Sequence, residues 1–258
     1  MSIKNLEPNG LWRNFYELTQ IPRPSKKEEK VVAFLKQFGE NLGLETIVDK
    51  VGNVIIRKPA TPGYEDRMGV VLQAHVDMVP QKNSDKVHDF EKDPIETRIE
   101  DGWVKANGTT LGADNGVGAA AAMAVLEATD LVHGPIEGLF TIDEETGMTG
   151  ANALEPGVLK GDILINMDSE TEGELYVGCA GGIDTCGYFT PKFEDVPAGS
   201  KAFQLIVKGL KGGHSGMDII LGRANANKIM NTLLLILTEK YNARVADIQG
   251  GSLRNAIP

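Results

Sequence analysis

The sequence predicts an α/β protein, a mixed open sheet flanked by helices, joined to part of a smaller α+β domain. Short apolar runs rich in β-branched residues alternate with helical patterns over the first two thirds of the chain. Three of those runs end in acidic or histidine side chains, which is how an open α/β sheet gathers a site at its strand carboxyl ends. After Gly181-Gly182 the texture changes to one strand-helix-strand unit, which would normally continue but is the last thing in the chain. Residues 1–184 are therefore expected to form one domain, and 185–258 the first half of a second.

The elements follow in order. Leu11, Phe15 and Leu18 have helical spacing, and I-P-R-P-S ends that helix because proline cannot continue it. A second helix is expected from Ser25, with Ser25 and Glu28 as a capping box, Val31, Phe34, Leu35, Phe38 and Leu42 on one face and Gly43 as the stop. Leu44 to Val48 and Val54 to Arg57 read as a strand pair about the turn Gly52-Asn53, and Gly69 to His75 as a buried strand. Residues 80–108 are polar and irregular apart from a short strand at Trp103-Val104. A Gly-rich loop carrying Asp114 then opens a helix of small residues, able to approach a sheet closely. Leu139 to Asp143 and Ile163 to Asn166 are further strands. Beyond the domain boundary, Ala202 to Lys208 is expected as a strand, G-L-K-G-G-H-S-G-M-D as a loop, Asn225 to Thr238 as an amphipathic helix, and Arg244 to Ile248 as a strand.

Composition narrows the function classes. A hydrophobic content of 41% over 258 residues supplies a sizeable core, so disorder is not expected. The net charge of −10 argues against a broad nucleic-acid surface and accommodates a site that gathers cations. Two cysteines, Cys179 and Cys186, make no disulfide framework and suggest a reducing compartment, the cytoplasm by default. No signal core or membrane-spanning apolar run is present in the sequence, so no membrane partner is expected.

In V-L-Q-A-H-V-D-M-V, the two-residue strand period aims His75 and Asp77 at one face, where one can bind a metal and the other hold the ring. Alone, such a pair is better read as a strand end entering solvent, because so short a pattern arises by chance. Asp114, the adjacent pair Glu144-Glu145 and Asp168 change that reading, because each also lies at a strand end or in the adjoining loop. Imidazole and carboxylate ligands suit zinc or manganese, and a carboxylate can bridge two ions roughly 3.5–4 Å apart. Glu144 and Glu145 start on opposite sides of a strand, so the loop must turn one toward the metal and the other toward reacting water. His88 and His133 fit no ligand pattern; Cys179, at the domain junction, reads as packing, and Arg223 as a solvated cation, with a substrate carboxylate as its alternative partner.

With these residues in place, the sequence resembles the dinuclear-zinc peptidase family that includes glutamate carboxypeptidases, aminoacylases and cytosolic dipeptidases, and within it the bacterial aminoacyl-histidine dipeptidases. The resemblance spans the chain through Q-A-H-V-D-M-V-P-Q-K, G-T-T-L-G-A-D-N-G, D-E-E-T-G, I-N-M-D-S-E, G-C-A-G-G-I-D, L-K-G-G-H-S-G and G-G-S-L-R-N-A-I-P. It implies a metallopeptidase catalytic domain in 1–184 and a lid and dimerisation domain begun in 185–258. It implies two divalent ions, zinc first, with manganese or cobalt as alternatives. His75 and Asp168 would bind one ion and Glu145 the other, with Asp114 bridging both, and the Asp114-Asn115 peptide bond is often cis in that family. Asp77 would orient His75, and Glu144 would be the general base for a metal-bound hydroxide that attacks a dipeptide carbonyl. His214 would stabilise the oxyanion once the domains or a partner subunit close over the site, and the intact protein would be a homodimer.

One departure from the family pattern matters. The second ion in these enzymes takes a histidine from the C-terminal part of the catalytic domain, and this chain ends before one. The 258-residue chain is thus expected to be a C-terminally truncated piece that binds the second ion poorly and is inactive. Two alternatives remain open: a related aminoacylase or tripeptidase, and a non-catalytic interaction module on the same scaffold.

Overall fold

A computed structural model describes residues 2–169, 171, 173–178, 181, 183, 185–251 and 256–258. The chain divides into two compact units, Met1–Gly181 and Gly182–Pro258.

The first unit contains helices α1 (Asn9–Thr19), α2 (Glu29–Asn41) and α3 (Ala113–Glu127), two short helical turns α4 (Glu144–Gly147) and α5 (Thr149–Asn152), and seven strands. The strands are β1 (Glu45–Val48), β2 (Val54–Lys58), β3 (Val70–His75), β4 (Thr97–Glu100), β5 (Trp103–Ala106), β6 (Ile136–Thr141) and β7 (Ile163–Asn166). Five of them form one sheet in the order β1-β2-β6-β3-β7. β1, β2 and β6 pair antiparallel, whereas β3 runs parallel to both β6 and β7, so the sheet is mixed as expected. β6 lies in the middle and buries all six residues, including Glu137, whose carboxylate pairs with Arg57 at 3.0 Å.

Helices cover one face of this sheet. α2 lies on β1 and β2, while α3 lies between α1 and the β3–β6 strands. Ala119, Ala120 and Ala122 of α3 have no exposed surface, and their small side chains let the helix sit close against Ala74 and Phe140 in the same core cluster. Burying a side chain such as Phe15, Leu35 or Phe140 contributes about 1.5–3 kcal/mol, so this layer holds much of the unit's stability. Ile55, Val71 and Leu139 form a second cluster with Leu154, Val158 and Leu159.

Several local expectations are corrected. α2 begins at Glu29, not Ser25, and neither half of the capping box forms: Ser25 and Glu28 are drawn inward by partners near the sheet. The strand expected over Leu139–Asp143 is shifted to Ile136–Thr141, because Asp143 turns into the left-handed region at φ 50°. Residues 80–108 hold a hairpin of β4 and β5 where only Trp103-Val104 was expected as strand. Its two-residue loop Asp101-Gly102 has φ of 54° and 79°, the twist that Asp-Gly supplies readily.

In the second unit, β8 (Gly213–His214) pairs with β9 (Ala256–Ile257), and α6 spans Ala226–Tyr241. Asn225 caps α6 by accepting the Lys228 N–H at 3.0 Å. Ala202–Lys208 and Arg244–Ile248 do not form the expected strands: among the described residues neither has a ladder partner, and an extended segment without one leaves its backbone groups to water.

Candidate metal centre

β3 ends on His75, and the backbone continues extended to Asp77; both side chains are fully buried at 1% and 0% exposure. Asp77 is a hub for four groups. Its Oδ1 lies 3.2 Å from His75 Nδ1 and accepts the Glu144 N–H at 3.0 Å, while Oδ2 accepts the Ser25 hydroxyl at 2.7 Å and the Glu145 N–H at 3.3 Å. Burial alone would raise the Asp77 pKa, but the hydrogen bonds from His75, Glu144 and Ser25 outweigh it and hold the carboxyl below its ordinary range. A charged, fully bonded carboxylate on Nδ1 fixes the ring, so Nε2 is the nitrogen left to face the site.

Around Nε2 the acidic residues converge. Asp114 Oδ1 is 3.0 Å away, Asp168 Oδ2 3.7 Å and Glu144 Oε2 3.9 Å. His75, Asp114 and Asp168 each offer a donor atom within 4.8 Å of the others, a group that can hold a metal ion. Asp114 is delivered by the Gly-rich loop: Gly112 adopts φ 69°, and Asp114 and Asn115 depart from helical dihedrals before α3 becomes regular. The Asp114-Asn115 peptide bond is cis.

The adjacent glutamates are separated by a turn. With Asp143 left-handed, Glu144 and Glu145 open α4, and their N–H groups both point at Asp77. The Glu145 carboxyl lies outside the group of three around His75, although Asp114 and Glu144 act on it electrostatically.

The ionisation of these groups shows what the donor set can take up. Asp168 is pushed up to about 7 by burial and by the field of Asp114, and Glu145 to about 7 by burial and Asp114. Burial works against a charged His75, but its hydrogen bonds to Asp114 and Asp77 prevail and raise it to about 10. Asp114, hydrogen-bonded to His75, is held low. One imidazolium cannot neutralise so many carboxylates, and protons are retained in compensation. An imidazole nitrogen among carboxylate oxygens is a donor set that suits zinc or manganese, so the residues present fit a divalent ion.

A second buried acidic group, Glu28, Asp77 and Asp143, lies behind the first. Its oxygens are engaged internally: Glu28 Oε1 accepts the N–H groups of Lys26 and Asp143, and Asp143 accepts the hydroxyls of Thr146 and Thr149. These residues brace the Asp143–Glu145 turn. Sequence reasoning missed Ser25, Glu28 and Asp143 as supports of the site, and also Arg23, a fully buried cation beneath it. The signal available was an arginine held between two prolines in I-P-R-P-S, where a solvated side chain needs no such rigidity.

His214 belongs to the second unit. Its Nδ1 accepts the N–H groups of Gly216 and Met217 at 3.1 Å each, which places the proton of the neutral ring on Nε2. Arg223 is not simply solvated, since it donates to Gly212 O and pairs with Asp218 at 2.9 Å, holding the loop around His214. His88 is buried edge-on to Phe90, and His133 bonds to the Gly134 carbonyl. Cys186 is a free, exposed thiol, and the junction residue Cys179 lies outside the described residues.

Comparison with known proteins places this geometry in a family. The sequence model of peptidase family M20/M25/M40 matches residues 71–224, and that of a peptidase dimerisation domain matches residues 205–258. The chain is 53% identical over 256 residues to a protein of Escherichia coli described as cytosol non-specific dipeptidase, covering 99% of this chain and 53% of that one. A crystal structure of aminoacylhistidine dipeptidase from Vibrio alginolyticus aligns over 100% of this chain and 53% of its own, with a TM-score of 0.70 and 50% identity. A tripeptidase structure from Staphylococcus aureus shares the fold at a TM-score of 0.54 and 18% identity, over 98% of this chain and 64% of that one. The chain thus spans about half the length of the dipeptidases it matches. With a family match covering the strand ends that carry His75, Asp77, Asp114, Glu144, Glu145 and Asp168, the chain belongs to peptidase family M20/M25/M40.

Proposed function

We propose that the intact protein is a metal-dependent dipeptidase, acting on Xaa-His and a broader set of dipeptides. The observation that carries this reading is the convergence of Asp114, Asp168 and Glu144 on His75 Nε2 while Asp77 occupies Nδ1 of the same ring. The relatives at 50–53% identity are a dipeptidase of E. coli and an aminoacylhistidine dipeptidase of V. alginolyticus, which supports the substrate class.

His75 and Asp168 would hold one divalent ion and Glu145 the second, with Asp114 shared between them. Zinc is the first choice, and manganese or cobalt would suit the same donors. The ions, when bound, supply Lewis acidity toward water and the scissile carbonyl. Asp77 keeps the His75 ring in one orientation and tautomer. Glu144 takes the proton of the attacking water and later delivers it to the leaving amine, so it needs reach and not ligation. His214 supplies its Nε2–H to the developing oxyanion, a role consistent with its Nδ1 being already engaged by two backbone donors. The dimerisation-domain match over 205–258 supports a homodimer built through the smaller domain. The protein acts in the cytoplasm in this reading, which rests on the description of the E. coli relative.

Hydrolysis of β-alanyl-histidine and of histidine-free dipeptides by the intact protein, before and after chelation and with zinc, manganese or cobalt restored, tests the proposal. Metal-reversible cleavage is expected; cleavage indifferent to chelation, or none with any of the three metals, overturns it.

A further inference from the structure

We infer that Arg23 is a positioning residue: its buried guanidinium clamps the Asp114 loop onto the end of β3 and thereby sets the approach of Asp114 to His75. The inference rests on the metal-centre reading and adds a residue that contributes no donor atom to it.

Arg23 is the largest fully buried side chain among the described residues, at 2% exposure. Its Nη1 donates to the carbonyls of Val76 at 2.9 Å and Asp77 at 3.2 Å, on the extended segment that follows His75. Its Nη2 donates to the carbonyl of Gly112 at 2.6 Å, two residues before Asp114. One planar fork therefore joins two segments that approach each other from residues 76–77 and 112, the two segments whose side chains meet at the 3.0 Å contact between His75 and Asp114.

The arginine is itself fixed from both sides. Its carbonyl accepts the Met78 N–H at 3.1 Å, and Pro24 forms a bridge with Met78, so the I-P-R-P-S segment lies along residues 76–78. A Cβ added at Gly112 or at Gly116 would stand 2.6 Å from Nη2, so both glycines leave the space that the guanidinium occupies. Burial pushes its pKa down to about 10 while Asp77 and Asp114 act to raise it, and it stays charged at neutral pH behind the acidic cluster. The carbonyls of Val76 and Asp77 accept from Arg23 in buried surroundings, where a lost donor is costly, and a lysine, with one tetrahedral ammonium, cannot span both segments in the plane that the fork uses.

Two variants separate clamping from general stability. Arg23→Lys keeps the charge and loses the fork. Gly116→Ala keeps Arg23 but puts a Cβ 2.6 Å from Nη2, which must shift, and 3.1 Å from Phe15 Cε2, which must give by a few tenths of an ångström, while alanine itself is favourable in a helix. Leu35→Ala, on the buried face of α2, is the control for a loss of stability remote from the clamp.

Amide hydrogen exchange on the metal-free intact protein reads the clamp at Thr110, whose N–H bonds to Gln81 O, and in Arg23→Lys also at Gly116, whose N–H bonds to Gly112 O. Both clamp variants should speed exchange there at least tenfold while leaving β2 and β6 unchanged, whereas Leu35→Ala should not single out the loop. Cobalt titration followed by the visible spectrum is the second arm. Affinity should fall about 10–100-fold in both clamp variants, as it does when supports of metal ligands are lost, and not in the control. Wild-type exchange at Thr110 in either folded variant, or clamp and control variants that behave alike, overturns the inference. If the wild-type protein takes up no cobalt, the metal reading falls, and the exchange arm still decides the clamp.

Discussion

Ser25 donates its hydroxyl to Asp77 Oδ2 at 2.7 Å, across 52 positions of sequence, and so takes part in orienting the carboxylate that faces His75. Ser25→Ala leaves a buried charged oxygen short of one donor. A stability loss of about 1–2 kcal/mol is expected, read by urea denaturation, with a fall in metal affinity smaller than that of Asp77→Asn. The asparagine keeps the shape of Asp77 but not its charge, and should weaken binding about 10–100-fold. Equal metal affinity in Asp77→Asn and wild type would remove Asp77 from the orienting role.

Glu144→Gln should leave metal binding within a few-fold of wild type and lower kcat by roughly two to four powers of ten, since the amide cannot accept the proton of water. Loss of metal in the same proportion as rate would make Glu144 a ligand instead of the base.

Protons and metal compete for the same atoms. Asp168 and Glu145 are raised to about 7 and His75 to about 10. Metal affinity should therefore rise steeply from pH 5 to pH 8, with protons released on binding, measurable by calorimetry in buffers of different ionisation heat. In the metal-free protein the raised carboxyls bind protons that the unfolded chain has lost. Stability should decline as pH rises from about 4 through 7 on their account. The raised His75 adds stability that is complete below its ordinary value near 6.5 and is lost as pH climbs through about 10. Saturating metal should flatten the lower part of this profile; an identical profile with and without metal would contradict the assignment.

Gly150→Ala tests the brace behind the glutamates. A Cβ there would lie 2.3 Å from Asn53 Oδ1 and 2.6 Å from Ile142 O, where Asn53 bonds both Gly150 O and the Ile142 N–H. Overpacking of this kind costs about 1–3 kcal/mol, and thermal denaturation should show it. An unchanged midpoint would mean that the turn is loose enough to yield.

Much of the fold is legible in the chain because the local rules agree with the tertiary outcome. β3 reads as a buried strand from its apolar run, Leu139–Asp143 catches the second half of β6, and the small residues of α3 forecast its close seat on the sheet. The failures have specific causes. Ser25 and Glu28 satisfy the capping pattern, yet a buried carboxylate and a strained turn compete for the same groups and win, since leaving Asp77 or the Asp143 N–H unpaired in the interior costs more than an uncapped, solvated helix end. Asp101-Gly102 was a hairpin signal hidden by the charged strands around it.

The sequence by itself determined which groups could act: a histidine and an aspartate at period two, and carboxylates at neighbouring strand ends. Tertiary structure alone decided that Nε2 and not Nδ1 of His75 faces Asp114, that a left-handed Asp143 turns the Glu144 and Glu145 amides onto Asp77, and that Arg23 lies beneath them. The physical reason is that side-chain type and strand period are local properties. Which nitrogen is spare, and which carbonyls share one guanidinium, depends on segments 50 to 90 residues apart that meet only when the sheet and α3 have packed.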